Sequence, residues 1–212
     1  MNPVLPLKTA ALPAVFISGV YDMHLILASG SPRRRELLSQ IGLTFSVQTA
    51  EIDESMDPSK GAELEVARVS RKKAEAVRDR LADRSSLILA ADTVVCLDRE
   101  ILGKPKSKED AKDMLRKLRG RTHLVETGVT LLSGDSCLTE VECTEVTFRS
   151  LSEEEIENYV CSGEPMDKAG AYGIQGQAAA FVSGIRGDYF NVVGLPLCRL
   201  SQMLKQFEVN EI

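Results

Sequence analysis

Four apolar residues in a row, Leu25 to Ala28, predict a short buried strand. Thr44–Thr49 alternates in polarity and predicts a second strand. From Gly61 to Ala82, Val66, Val69, Lys73, Val77 and Arg80 recur at three- and four-residue spacing, which predicts a long helix with a partly apolar stripe. Leu87–Leu97 is apolar at every position except Asp92 and Thr93 and predicts a central strand. Ile101–Leu102 reads as a short return strand after a turn at 98–100. Arg121–Leu132 and Cys137–Arg149 read as a hairpin about the turn 133–136, and Ala178–Ser183 as one more strand. Helices are expected over Arg33–Ile41, ended by Gly42; from the cap Ser107 to Leu118, ended by Gly120; over Glu153–Cys161; and over Pro196–Phe207. Ser152 with Glu155 makes a capping box, and 191–196 reads as a turn. Strands and helices alternate in the first half and hairpins dominate the second. The class is α/β to α+β: a mixed, bent sheet with flanking helices in two lobes about a central cleft.

Several residues in this pattern carry chemistry. Ser29-Gly30-Ser31 joins the first strand to the first helix, with Ser31 as cap and Pro32 at the first helical position. Backbone N–H groups and the positive end of the helix dipole converge there and suit a phosphate. Arg33, Arg34 and Arg35 follow, although cations in a first turn oppose the dipole. A phosphate ligand explains them; the alternative is a solvated basic helix start. Successive helix positions point about 100° apart, so one or two of the three face a ligand. Asp92 lies mid-strand, where an ionised carboxylate without a partner costs several kcal/mol, so it needs a cation, a metal or a bend that exposes it. Lys73 interrupts the helix stripe and either snorkels to water or points into a cleft. Lys104 follows Asp92 by twelve positions across a hairpin, within reach of it. The loop 50–58 holds four acids, Glu51, Asp53, Glu54 and Asp57, as a solvated loop or a metal-facing rim. In the glycine-punctuated stretch 164–176, Asp167 and Lys168 form a local ion pair or meet a ligand. Gln175 offers the donor and acceptor needed to read a base edge.

Composition narrows the partners. The chain has 212 residues, 43% hydrophobic, net charge −5 and an acidic pI near 5.2. That disfavours broad nucleic-acid or acidic-membrane binding. Trp is absent and aromatics are 5%, so a base-stacking platform is not expected. Five scattered cysteines without CxxC spacing fit a reducing compartment. Two histidines leave carboxylates and a hard cation as the metal chemistry to consider. No Walker P-loop occurs. Arg186-Gly187-Asp188 is taken as a chance tripeptide. Residues 1–22 read as a poorly ordered extension, too short in its apolar part to span a bilayer and without a clean signal cleavage site, before a single domain at 23–212. Nothing in the periodicity shows an oligomer; a homodimer is the assembly to test.

Six stretches in order, LASGSPRRREL at 27–37, EIDES at 51–55, AADT at 90–93, LGKP at 102–105, GEPMDKAGAYGIQG at 163–176 and NVVGLP at 191–196, together resemble the Maf family of nucleotide pyrophosphatases. The resemblance runs from about Leu25 to near the C-terminus. It implies hydrolysis of a nucleoside triphosphate to the monophosphate and pyrophosphate, a divalent cation (Mg²⁺ or Mn²⁺), and a house-cleaning role in the cytoplasm. By the family pattern Asp92 is the proton acceptor, Glu54 the acid that joins it at the metal, and Lys73 and Lys104 the lysines beside the phosphates. Ser29, Ser31, Arg33, Asp167 and Lys168 fall in its substrate-binding stretches. Arg33, Thr93 and Gln175 are tied to substrate choice, and Thr93 with Gln175 resembles the subfamily that takes dTTP and UTP. Relatives specific for 7-methyl-GTP carry another residue after the Asp. One departure is Gln177-Ala-Ala-Ala180, where relatives often carry further glycines. Two other readings stay open: a 7-methyl-GTP-type pyrophosphatase, and a non-catalytic nucleotide-binding regulator of cell division.

Overall fold

The computed structural model describes residues 24–49, 51–82 and 85–210; the extension expected at residues 1–22 lies outside them. Among the described residues a seven-stranded mixed sheet carries six helices. The strands are β1 (Leu25–Leu27), β2 (Ser46–Val47), β3 (Leu87–Leu97), β4 (Glu100–Leu102), β5 (Thr122–Ser133), β6 (Ser136–Phe148) and β7 (Val182–Arg186). The helices are α1 (Pro32–Gln40), α2 (Ala62–Arg78), α3 (Lys108–Leu118), α4 (Glu153–Cys161), α5 (Tyr189–Val193) and α6 (Leu197–Asn210).

The sheet order is β2-β1-β3-β5-β6-β7, with β4 on β3 off this path. β1 runs parallel to β3, pairing Leu25–Leu27 with Leu87–Leu89, whereas β4 pairs antiparallel with Val95–Leu97. Both lie on the same edge of β3, so among the described residues Ala90–Val94 has no strand beside it there. The other edge is continuous: β3 pairs with β5 from Ile88 to Cys96.

Side chains alternate across a strand, and β3 shows it plainly. On one face Leu87, Leu89 and Ala91 join a core with α1, α5 and α6 residues, and Val95 and Leu97 join a second core with α3 and α4. Thr93 separates them. On the other face Ile88 and Ala90 pack under Ala74 and Val77 of α2, while Val94 and Cys96 pack under Ala62 and Val66. Asp92 separates those. The sheet thus has a polar waist where its edge is bare.

Helix α2 reaches this waist because Gly128, the cross-strand partner of Asp92, has no side chain. A Cβ there would collide with the Val66 carbonyl and crowd Ala67 N at 2.8 Å. Close helix–sheet approach requires glycine at that position.

Several local details differ from the sequence reading. The strand expected at 44–49 is only Ser46–Val47, on the sheet edge beside β1. Helix α2 ends at Arg78, not Ala82. The strand expected at 178–183 is a 3₁₀ helix over Gln177–Phe181 followed by β7. The turn expected at 191–196 begins inside α5, whose cap is Asp188 of the chance tripeptide. No helix of the described residues is long and apolar enough to cross a membrane.

Candidate active site

A cleft of about 840 Å³ opens at the bare edge of β3. It collects residues from both sheet faces because an open strand edge exposes both. All eleven residues singled out in the sequence line it: Ser29, Ser31, Arg33, Glu54, Lys73, Asp92, Thr93, Lys104, Asp167, Lys168 and Gln175.

The charged centre is a triad. Lys73, two turns along α2 from Val66, is buried, and its Nζ lies 2.7 Å from Asp92 Oδ1 and 2.9 Å from Glu54 Oε1. The buried carboxylate therefore has its cation, and Lys73 points into the cleft instead of snorkelling outward. Of the four acids in the 50–58 loop only Glu54 turns to the cleft. Asp53 accepts hydrogen bonds from Ser55, and Asp57 accepts from Ser59 to cap a 3₁₀ turn. Lys104 lines the same cleft from the loop after β4, exposed, with no ion pair to Asp92.

The arginine run divides its labour. Arg34, which the sequence did not single out from its neighbours, is 9% exposed and hydrogen-bonded through all three guanidinium nitrogens. Its Nε donates to Gly194 O at 2.8 Å, Nη1 to Ala91 O at 2.8 Å and Ser29 Oγ at 3.1 Å, and Nη2 to Thr93 Oγ1 at 3.0 Å. It supplies the donor that a missing strand would have given Ala91. Burial lowers its pKa and the nearby Asp92 charge opposes that. Arg33, half-buried, faces the cleft 3.8 Å from Asp167. The only signal for Arg34 was the helical 100° step, which allowed one arginine to turn inward without naming it.

Ser31 caps α1 by accepting from Arg34 N, and Ser29 Oγ accepts from Ser31 N at 3.2 Å. The helix N-terminus and its turn thus open into the cleft. Thr93 Oγ1 also lies 2.9 Å from Thr127 Oγ1 on β5.

The opposite wall is the 164–176 stretch, a chain of tight turns rather than an open loop. Lys168 Nζ donates to Asp167 Oδ1 at 2.7 Å and to Glu164 O at 2.7 Å, so the local ion pair exists and also faces the cleft. Partial burial works against ionisation of Asp167, but the Lys168 hydrogen bond and the charges of Lys168 and Arg33 hold its pKa below the usual value. Gln175 is exposed at the cleft, and its side-chain amide has no hydrogen bond among the described residues.

Comparison with known proteins shows the family. The family profile described as "Maf-like protein" matches residues 24–207. A dTTP/UTP pyrophosphatase of Symbiobacterium thermophilum is 54% identical over 185 residues, covering 87% of this chain and 94% of that protein. Proteins of the same name from Pelotomaculum thermopropionicum and Hahella chejuensis are 50% and 48% identical, each over 88% of this chain and 98% and 93% of their own lengths. On the profile match and these identities, the chain belongs to the Maf family.

Proposed function

We propose that this protein is a nucleoside triphosphate pyrophosphatase that cleaves dTTP and UTP to the monophosphate and pyrophosphate. The observation that carries it is the Glu54–Lys73–Asp92 triad at the floor of a cleft whose rim holds Arg33, Lys104 and the α1 N-terminus. Relatives at 48–54% identity carry that activity in their names.

In this reading the triphosphate lies across the cleft, its anionic groups met by Arg33, Lys104 and the N–H groups of the Ser29–Arg33 turn. Asp92 accepts a proton from the water that attacks the α-phosphorus. The new bond joins that water oxygen to phosphorus. The bond broken is between the α-phosphorus and its bridging oxygen, which leaves with pyrophosphate. Lys73, 2.7 Å from Asp92 Oδ1, holds that carboxylate in place before the attack, and with Lys104 meets the charge that grows on the phosphates. Positioning and electrostatics supply most of the acceleration in such transfers. Thr93 and Gln175 select the base, as the family pattern implies.

A divalent cation fits the donor set. Two carboxylates, Glu54 and Asp92, share the cleft; no group of three or more His, Cys, Asp or Glu among the described residues is placed to hold a metal alone. Mg²⁺ characteristically takes one or two carboxylates together with substrate phosphates. Glu54 and Asp92 would hold the ion, which supplies charge neutralisation on the phosphates and a more acidic water.

The test is pyrophosphate release with Mg²⁺ or Mn²⁺ from dTTP, UTP, CTP, GTP and 7-methyl-GTP. Release from dTTP and UTP, lost in Asp92→Asn, supports the reading. Release from the methylated purine alone overturns the substrate choice, and nucleotide binding without any release overturns the reaction.

A further inference from the structure

We infer that Glu164 and Tyr159 are positioning residues for base selection, acting together as a clamp on the turn that presents Gln175. The inference rests on the pyrophosphatase reading and adds the device that holds its selecting residue in place.

The turn 173–176 carries Gln175 on the cleft wall and closes on itself through Gly176 N–H to Gly173 O at 3.1 Å. Each end is held from outside. At the front, the Gly173 N–H donates to Tyr159 Oη at 3.3 Å. At the back, the Gln177 N–H donates to Glu164 Oε2 at 3.1 Å. The two anchors are joined, because Tyr159 Oη donates to Glu164 Oε1 at 3.1 Å. One phenol and one carboxylate thus bridge the chain from α4 to both sides of Gln175. Tyr159 is 3% exposed and packs edge-on against Phe181, so the anchor is itself fixed. Burial and the Glu164 charge push its pKa upward, which keeps the phenol proton in the bridge.

The glycines of the turn answer to this clamp. A Cβ on Gly176 would collide with the Glu164 carboxylate, and one on Gly173 would lie 2.6 Å from Lys168 Cε. Neither glycine has a positive φ that by itself demands glycine. Their smallness is needed so that the turn can close onto Glu164 and Lys168. Between the anchors Ile174 is buried in the core, while the neighbouring Gln175 amide stands free toward the cleft. A base is read by hydrogen bonds only if the reading group is held in place, and displacement of about 1 Å is enough to spoil such geometry. The clamp removes that freedom without touching the phosphates or Asp92.

The experiment compares Tyr159→Phe, Glu164→Gln and Gln175→Ala, with Tyr159→Phe/Gln175→Ala as the double variant. kcat and KM are measured for dTTP, UTP and GTP, with amide hydrogen exchange of residues 173–177 and thermal melting. Expected is a rise in KM for dTTP of about tenfold or more in Tyr159→Phe, with a much smaller change in kcat. The preference for dTTP over GTP should fall by a similar factor, and exchange should quicken at Gly173 and Gln177. The double variant should be no less selective than Gln175→Ala, because the two act through one group. Glu164→Gln, which keeps the shape but removes the charge, should fall in the same direction. Unchanged KM and selectivity in the single variants, or equal losses for every nucleotide in step with melting temperature, overturn the clamp. Wild-type protein that releases no pyrophosphate from any nucleotide overturns the pyrophosphatase reading instead, and the clamp with it.

Discussion

Lys73 Nζ lies 2.7 Å from Asp92 Oδ1, a buried ion pair between a helix and the bare-edged middle of the central strand. Both side chains are about 10% exposed. Removing one partner of such a pair leaves the other charge stranded, at a cost of about 3–5 kcal/mol. Lys73→Met should therefore destabilise the fold by that order in urea denaturation and abolish turnover. Adding Asp92→Asn to it should restore most of the stability and none of the activity. A double variant as unstable as Lys73→Met would show that the pair is not the source of the loss.

Gly128→Ala tests how closely α2 lies on the sheet. The added methyl would meet the Val66 carbonyl, a backbone group that cannot step aside alone. Overpacking of this kind costs about 1–3 kcal/mol. The helix must also lift, which lengthens the Lys73–Asp92 contact, so kcat should fall together with stability. Full activity in a destabilised Gly128→Ala would separate the two.

Arg34→Lys keeps the charge and loses the fork. Lysine reaches one of the acceptors Gly194 O, Ala91 O, Ser29 Oγ and Thr93 Oγ1, and leaves buried carbonyls unpaired. A loss of about 2–3 kcal/mol is expected, with a raised KM because Thr93 and the Ser29 turn lose their common anchor. Wild-type melting temperature and KM would remove Arg34 from this role.

Burial pushes the His123 pKa down from 6.5 to about 4. The unfolded chain binds a proton near pH 6.5 that the folded protein refuses until about pH 4. The native state is therefore favoured fully above 6.5, and this contribution is lost as pH falls toward 4. It amounts to at most about 3 kcal/mol. Its Nε2 lies 2.7 Å from Tyr172 Oη, and its Nδ1 has no hydrogen-bond partner among the described residues. Denaturation at pH 7.5 and 4.5 should show a smaller acid loss in His123→Gln than in the wild type. Equal losses would place the acid sensitivity elsewhere.

Chelation with EDTA should stop pyrophosphate release, and added Mg²⁺ should restore it. Melting temperature should move little, because Lys73 already pairs with both Glu54 and Asp92, leaving one net negative charge in the triad for the cation to meet. Activity that survives exhaustive chelation would remove the metal from the reading.

The sequence was most legible where one physical demand dominated. A carboxylate inside an apolar strand required a partner, and a lysine inside an apolar helix stripe was the partner it found. Strong caps, and an apolar run interrupted only by Asp92 and Thr93, placed α3, α4 and β3 to within a residue or two. What was hidden depended on contacts between distant segments. Arg34 looks like Arg33 and Arg35 until Gly194 and Thr93 are folded beside it. The 3₁₀ helix at Gln177–Phe181 exists where apolar Ala178 and Phe181 reach the core at three-residue spacing, which a run of alanines disguises as a strand. Gly173 and Gly176 read in the sequence only as punctuation of the 164–176 stretch; the room they leave for Lys168 and Glu164 shows only in the folded chain.

The polar waist has a consequence for how the molecule is joined. β3 and β5 pass unbroken from one pair of apolar cores to the other, with Asp92, Thr93 and Thr127 at the crossing. The cleft therefore does not lie between two bodies on a flexible connector. Its floor is the seam itself, shared by both halves through strands that neither can do without. Expressed separately, either half would carry strand stubs stripped of their cores, so the halves should melt as one and should not exchange as independent modules.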